Sequence, residues 1–194
     1  MSGEGARRGL ELVAVGRVDE ALLAFLGREL DRRFGTRSFR GPPLALAAEW
    51  LDPERGQYRS GAIVDALLAR AAALGTDPAS FWSLGVTEAD LYAPGRTFVF
   101  GEATVAGPCA VVSLARLEPG APSLGGRALA EAVHEVAHLA GMEHCPDAQC
   151  VMRPTQTVED VDRRGGDFCV GCARSLGHRL SGPEACPRGA DRLP

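Results

Sequence analysis

The string His134-Glu135-Val136-Ala137-His138 constrains this chain more than any other feature. Residues four apart lie on one face of an α-helix, one turn apart. Two imidazoles so placed can converge on one ion at about 2.0–2.1 Å from each nitrogen, as tetrahedral zinc requires. Glu135 sits one position round and can reach a water on that ion without ligating it. Alone, such a pattern is matched about as often by a helix with two unrelated histidines. The next residues shift that balance. Gly141 follows His138 by three positions, and His144 follows Gly141 by three. Glycine takes the positive φ of a helix C-terminal cap without strain. The chain can then fold back beneath the helix, so that His144 supplies a third nitrogen. Three protein ligands leave a fourth position to water, which separates a catalytic zinc site from a closed structural one. With five fixed positions, the whole string arises by chance far more rarely than the five-residue pattern alone.

The helix carrying this string is expected over residues 127–140. Upstream, residues 10–15 read as a strand apolar enough to lie inside a sheet. Val18, Leu22, Phe25, Leu26, Leu30 and Phe34 recur at helical spacing, with acids first, arginines last and Gly35 as the stop. Ile63, Val64, Leu67, Leu68, Ala71 and Leu74 predict a second amphipathic helix closed by Gly75. Residues 83–86 are a short strand candidate, and 97–100 and 110–114 stronger ones. After Gly141 little regular structure is expected until a last helix near 172–180, and 181–194 read as a flexible tail. Strands alternating with helices predict an α/β (α+β) fold.

The 194 residues include six cysteines and four histidines, every basic charge is arginine, and asparagine is missing. Without lysine, Schiff-base catalysis and a P-loop phosphate site are excluded. A net charge of −4 argues against a general polyanion binder. No continuous apolar h-region follows the N-terminal arginines, so no signal peptide is expected. No uncharged stretch reaches the roughly 18 residues of a membrane span. The expectation is a cytoplasmic protein with reduced thiols, in which closely spaced cysteines serve as metal ligands. Cys145-x4-Cys150 and Cys169-x2-Cys172 are two such pairs, the composition of a closed structural zinc site. Two disulfides are the competing reading. A redox CxxC is another, but it would follow a strand at a helix N-terminus, whereas Phe168 follows a turn-rich stretch. Cys109 reads as a buried thiol, Cys186 as a tail residue and His178 as a surface residue.

The eleven-residue histidine string matches the metzincin signature, in which a methionine lies in a tight turn under the metal. Met152, followed by Pro154, suits that position. Cys145 directly follows His144, so the two metal sites share a backbone segment. That arrangement resembles the archaemetzincin family, whose pattern is HExxHxxGxxHCx4CxM, a gap, then CxxC. Here it is met by His134, Glu135, His138, Gly141, His144, Cys145, Cys150, Met152, Cys169 and Cys172. The stretches 90–92, 98–103 and 111–114 resemble the family's segment ahead of the active helix. The gap between Met152 and Cys169 is one residue shorter than in that pattern. The resemblance implies a single compact domain over 1–180: a twisted mixed sheet and active-site helix in an upper part, 1–141, and a second zinc pinning a lower part, 142–180. It also implies a zinc metallopeptidase with a weakly defined substrate, some relatives acting as aminopeptidases.

On this reading His134, His138 and His144 hold a catalytic zinc, and Cys145, Cys150, Cys169 and Cys172 a structural one. Glu135 is general base and then acid. The substrate is a peptide or protein lying along a sheet edge supplied by residues 98–114. No nucleic acid or membrane partner is expected, and the chain is expected to be a monomer. Two other readings compete. One is a non-catalytic di-zinc module binding a peptide or a protein. The other is a zinc-ribbon nucleic-acid binder using Arg163, Arg164, Arg174, Arg179, Arg188 and Arg192; the overall charge and the lack of interleaved aromatics count against it.

Overall fold

The computed structural model describes residues 7–77, 79–117, 123–181 and 192–193. Strand β1 (Gly9–Val15) is apolar on both faces: Leu10 and Leu12 enter one core cluster, Val13 and Val15 the other. A strand with that pattern must be covered on both sides. Helix α1 (Glu20–Phe34) starts where the Asp19 carboxylate accepts the Leu22 N–H at 2.8 Å. It ends at Gly35, in the left-handed region at φ 65°. Its stripe Leu23, Leu26, Leu30 and Phe34 is buried. Strand β2 (Arg37–Arg40) then pairs parallel to β1. Periodicity does not reveal β2, because an edge strand with two exposed arginines carries no apolar alternation.

Three short strands form a separate small sheet, β3 (Leu51–Asp52), β4 (Gln57–Arg59) and β6 (Leu91–Tyr92). Between them come helix α2 (Ser60–Ala73) and strand β5 (Phe81–Thr87), the latter parallel to β1. Strand β7 (Gly101–Thr104) is antiparallel to β8 (Cys109–Ser113), which is parallel to β5. Helices α3 (Leu124–Leu139), α4 (Val158–Arg164) and α5 (Val170–Ser181) follow. Strand β9 (Arg192–Leu193) pairs antiparallel with β7 at Ala103 and Thr104. The main sheet therefore runs β2-β1-β5-β8-β7-β9. It is mixed, with α1 and α3 contributing to one core cluster and α2 to the other. The fold is mixed α/β, as expected.

Three expectations change. The strand expected at 97–100 is displaced to Gly101–Thr104; Val99 makes only an isolated antiparallel bridge to Leu91. The Val99 N–H is taken by Leu91 O at 2.9 Å, which ties the segment to the small sheet, and Phe98 and Phe100 pack edge to face with centroids 5.1 Å apart. The stretch after Gly141 is not free of regular structure, because α4 lies within it. Its N-terminus is a capping box: Thr157 accepts from the Asp160 N–H, and the Asp160 carboxylate accepts from the Thr157 N–H. Finally, the stretch read as a tail contributes β9, while 182–191 lie outside the described residues.

Candidate active site

Helix α3 begins with Ser123 capping the Gly126 N–H and is buried along its length from Arg127 to Leu139. Glu131, His134, Glu135 and His138 recur at three- and four-residue spacing, so they share one face. The helix closes with the Gly141 N–H donating to His138 O at 2.8 Å and the Met142 N–H to Ala137 O at 3.0 Å. Gly141 has φ 79°. This is the Schellman reversal, in which glycine avoids the Cβ clash of a left-handed residue. It also orients a ring, because the Nδ1 of His138 lies 2.7 Å from Met142 O.

The Nδ1 of His134 lies 2.7 Å from Val151 O. A carbonyl can only accept, so both rings carry their proton on Nδ1, and each Nε2 keeps its lone pair. Those two Nε2 atoms face each other at 3.0 Å. Two facing lone pairs repel unless a cation lies between them, so the pair fits a metal ion. The Arg164 guanidinium also comes within 3.0 Å of the His134 Nδ1. With Nδ1 donating to Val151 O this contact is not a hydrogen bond; the same Nη1 donates to Arg153 O at 2.5 Å. His144 joins from beyond the reversal, its ring centroid 5.3 Å from His134 and 5.0 Å from His138. One nitrogen from each of the three rings lies within 4.8 Å of the others.

Burial holds all three imidazoles neutral. His134 is well below the usual imidazole range, mainly through burial and then through its neighbours' charges. His138 is pushed down to about 4 by burial. His144 is lowered by burial, then by Arg164 and Arg96. Neutral imidazole is the form that ligates metal. Glu135 moves the other way, well above the carboxylate range, through burial first and the nearby charge of Glu131 second. Its Oε2 is buried and has no hydrogen-bond partner. A buried carboxylate oxygen left without a partner in this way fits a site that receives a water molecule.

Cys145, Cys150, Cys169 and Cys172 form a second group, their sulfurs all within 4.8 Å of one another. None of the described cysteines is in a disulfide, and Sγ of Cys145 stands 3.9 Å from Sγ of Cys169. The Cys169 N–H donates to the Cys150 sulfur at 3.4 Å and the Cys172 N–H to the Cys169 sulfur at 3.5 Å. The latter contact holds the Cys169 thiol below its usual range. Cys169 sits just ahead of α5, so the motif does stand at a helix N-terminus, but it is entered from a loop. Four sulfurs without disulfides suit a tetrahedral thiolate site. The two groups are joined through the backbone. His144 abuts Cys145, the Cys145 N–H donates to Met152 O at 2.9 Å, and Val151 O, between Cys150 and Met152, orients His134. Met152 is fully buried.

His134, His144 and Glu135 open onto a cleft of about 430 Å³, lined also by residues 95–101 and 154–157. A second hollow shares His144, Pro154 and Gln156 with it, so the groove continues past His144. The three histidines are thus brought together as one group and the four cysteines as another, with His134, Glu135 and His144 lining the cleft and Cys145 the second hollow. Others were not anticipated. Gly101, at the start of β7, lies so close to Glu135 that a Cβ there would stand 2.5 Å from its Oε1. Glu131 and Arg164 form a buried ion pair behind the histidines. Arg164 had read only as part of a basic stretch, and Arg163 beside it pairs with Asp160. Cys109 is fully buried and His178 exposed, whereas Cys186 lies outside the described residues.

Two helix-borne imidazoles, a third returned by a glycine reversal, and an unpartnered buried carboxylate in one cleft define a metal-dependent hydrolase. Known proteins make the assignment specific. Residues 45–178 match the sequence profile of peptidase family M54. The archaemetzincin of Methanocaldococcus jannaschii is 36% identical over 172 residues, covering 85% of this chain and 90% of that protein. The crystal structure of the archaemetzincin from Methanopyrus kandleri superposes with a TM-score of 0.79 at 33% identity, over 94% of this chain and all of that one. That of the Archaeoglobus fulgidus archaemetzincin, solved with malonate, gives 0.73 at 34% identity, over 85% and 98%. The chain belongs to peptidase family M54, the archaemetzincins, and is a zinc metallopeptidase. Among the described residues no helix is long and apolar enough to cross a membrane.

Proposed function

We propose that the chain hydrolyses peptide bonds at the three-histidine centre, with His134, His138 and His144 as zinc ligands and Glu135 as proton carrier. Cys145, Cys150, Cys169 and Cys172 would hold a second, structural zinc, giving two ions per chain. Zinc bound by the histidines supplies Lewis acidity, which makes a water nucleophilic near neutral pH and polarises the carbonyl it attacks. The single observation that carries the proposal is the buried, unpartnered Oε2 of Glu135 beside two convergent imidazoles. Glu135 takes a proton from the attacking water and returns it to the leaving amine. Its raised pKa suits the second half of that cycle. Strand β9 covers β7 at Ala103 and Thr104, but Gly101, ahead of that pairing, lies against Glu135, so an extended peptide adding beside residues 98–102 would lie across the carboxylate. Met152 is read as the methionine of the turn beneath the histidines. Reduced, metal-binding cysteines fit a cytoplasmic enzyme, and the substrates are read as small peptides, cut from the N-terminus and bound by a monomer.

The test is turnover of a peptide library by the zinc-loaded chain and by Glu135→Gln. Loss of about a hundredfold or more in kcat is expected for the variant. Equal rates would overturn the role of Glu135. N-terminally blocked peptides, cut as fast as free ones, would overturn the aminopeptidase reading alone.

A further inference from the structure

Arg96 is the only arginine among the described residues that line the cleft, and its guanidinium makes no hydrogen bond or ion pair with any of them. Three other arginines of this region are committed. Arg116 is gripped by Asp90 through two contacts of 2.7 Å and lies over the Phe98 ring. Arg164 is taken up by Glu131. Arg55 donates to Gln57 and to the carbonyls of Arg96 and Thr97. Those last bonds matter because they fix the backbone from which Arg96 projects. The Arg96 N–H donates to Ala93 O at 3.0 Å, and Thr97 O also accepts from the Gln57 amide at 3.1 Å. Gly95, at φ 79°, makes the turn. A free cation is thus displayed on an anchored loop at the wall of the cleft. The cleft's own carboxylates do not satisfy it: Glu131 is paired with Arg164, and Glu135 is buried beside the histidines.

We propose that Arg96 is a specificity-determining residue that binds a carboxylate of the peptide held in the cleft. The inference rests on the peptidase reading for its substrate class, but not on the roles given to Glu135 or to the zinc ions. A guanidinium presents paired N–H donors that match the two oxygens of a carboxylate, and its charge persists at any working pH. An acidic side chain and a free chain terminus offer the same group. Because Arg96 is exposed, solvent weakens the contact, and a preference of about fivefold is expected.

The experiment uses two pairs of labelled hexa-alanine peptides. In the first pair a single Glu or Gln is scanned through an amidated peptide; in the second the C-terminus is free or amidated. Binding is read by fluorescence anisotropy on the zinc-loaded full-length chain carrying Glu135→Gln, so that peptides are held and not cut. Cleavage is read separately as kcat/KM on the chain without that change. The acidic member of at least one pair should bind about fivefold more tightly. The preference should vanish with Arg96→Gln and persist in part with Arg96→Lys. The pair that shows it identifies the source of the carboxylate. Equal binding of acid and amide, a preference that survives Arg96→Gln, or no binding of any peptide would each overturn the inference. Acid-selective binding without cleavage of any peptide would sink the hydrolytic reading and leave the role of Arg96 standing.

Discussion

Arg164, the last residue of α4, reaches Glu131 on α3 with an Nη2–Oε1 distance of 2.6 Å, and the two side chains are 1% and 2% exposed. The same guanidinium donates to Arg153 O and lies against the His134 ring. A bidentate Arg127–Asp162 pair, at 2.7 and 2.8 Å, joins the same two helices. Helix α4 is therefore tied to α3 by charge as well as by packing, directly behind His134.

Removing one member of the buried pair leaves the other charged without a partner. Arg164→Leu and Glu131→Leu are each expected to destabilise the zinc-loaded protein by about 3–5 kcal/mol. The double variant should lose much less than the sum, because no charge is then stranded. Urea unfolding of the four proteins measures this. Additive losses would show that the pair is not coupled.

Gly101 has room for a hydrogen but not for a methyl group beside the Glu135 carboxylate. Gly101→Ala should push that side chain aside while leaving the sheet intact, since the atoms met, Oε1, Cδ and Cγ at 2.5–2.7 Å, all belong to the Glu135 side chain. We expect a fall in kcat of about a hundredfold, the size that a displacement near 1 Å produces, with unfolding midpoint and zinc content close to the parent's. Unchanged kcat would mean that Glu135 does not work from this position.

The backbone from Cys150 to Met152 touches both the cysteine and the histidine group, since Val151 O orients His134. Cys169→Ser should lower the zinc content from about two ions per chain to about one. The remaining ion should also bind roughly 10- to 100-fold more weakly, the usual effect of losing a partner that orients a ligand. Metal analysis and competition with a chelator give both numbers. Two retained ions would remove Cys169 from the ligand set.

Cys109 is fully enclosed between the sheet and α2, where burial and the charge of Glu11 push its thiol up to about 12. The unfolded chain ionises this thiol near 9.0. Between those values the folded state binds more protons, so Cys109 lowers stability as pH rises above about 9 and leaves it unchanged below. Unfolding followed at pH 8 to 10.5 should show that decline, and Cys109→Ala should flatten part of it. Iodoacetamide at pH 8 should label this residue only in denaturant.

Much of the site was legible in the chain because its encoding is local. His134 and His138 are one helical turn apart, Gly141 ends that turn, and His144 and Cys145 lie just beyond it. Each step needs only helix geometry and the freedom of glycine at positive φ. Helices α1, α2 and α3 were legible for the same reason, through apolar residues at helical spacing. Helix α4 had a local signal too, the Thr157 and Asp160 box ahead of Val161, but it is short and its apolar stripe is thin. Contacts across the fold carried no such signal. Glu131 and Arg164 are 33 residues apart, and each reads alone as a surface charge. Gly101 meets Glu135 only because β7 is laid against α3, and Arg96 has no partner among the described residues while Asp90 and Glu131 pair with other arginines. The sequence by itself determined which side chains can hold metal and carry a proton, since their spacing survives in any fold that keeps the helix. The tertiary structure decided which charges are neutralised, which atoms are left without partners, and where a substrate can lie, because those depend on which distant segments exclude water together.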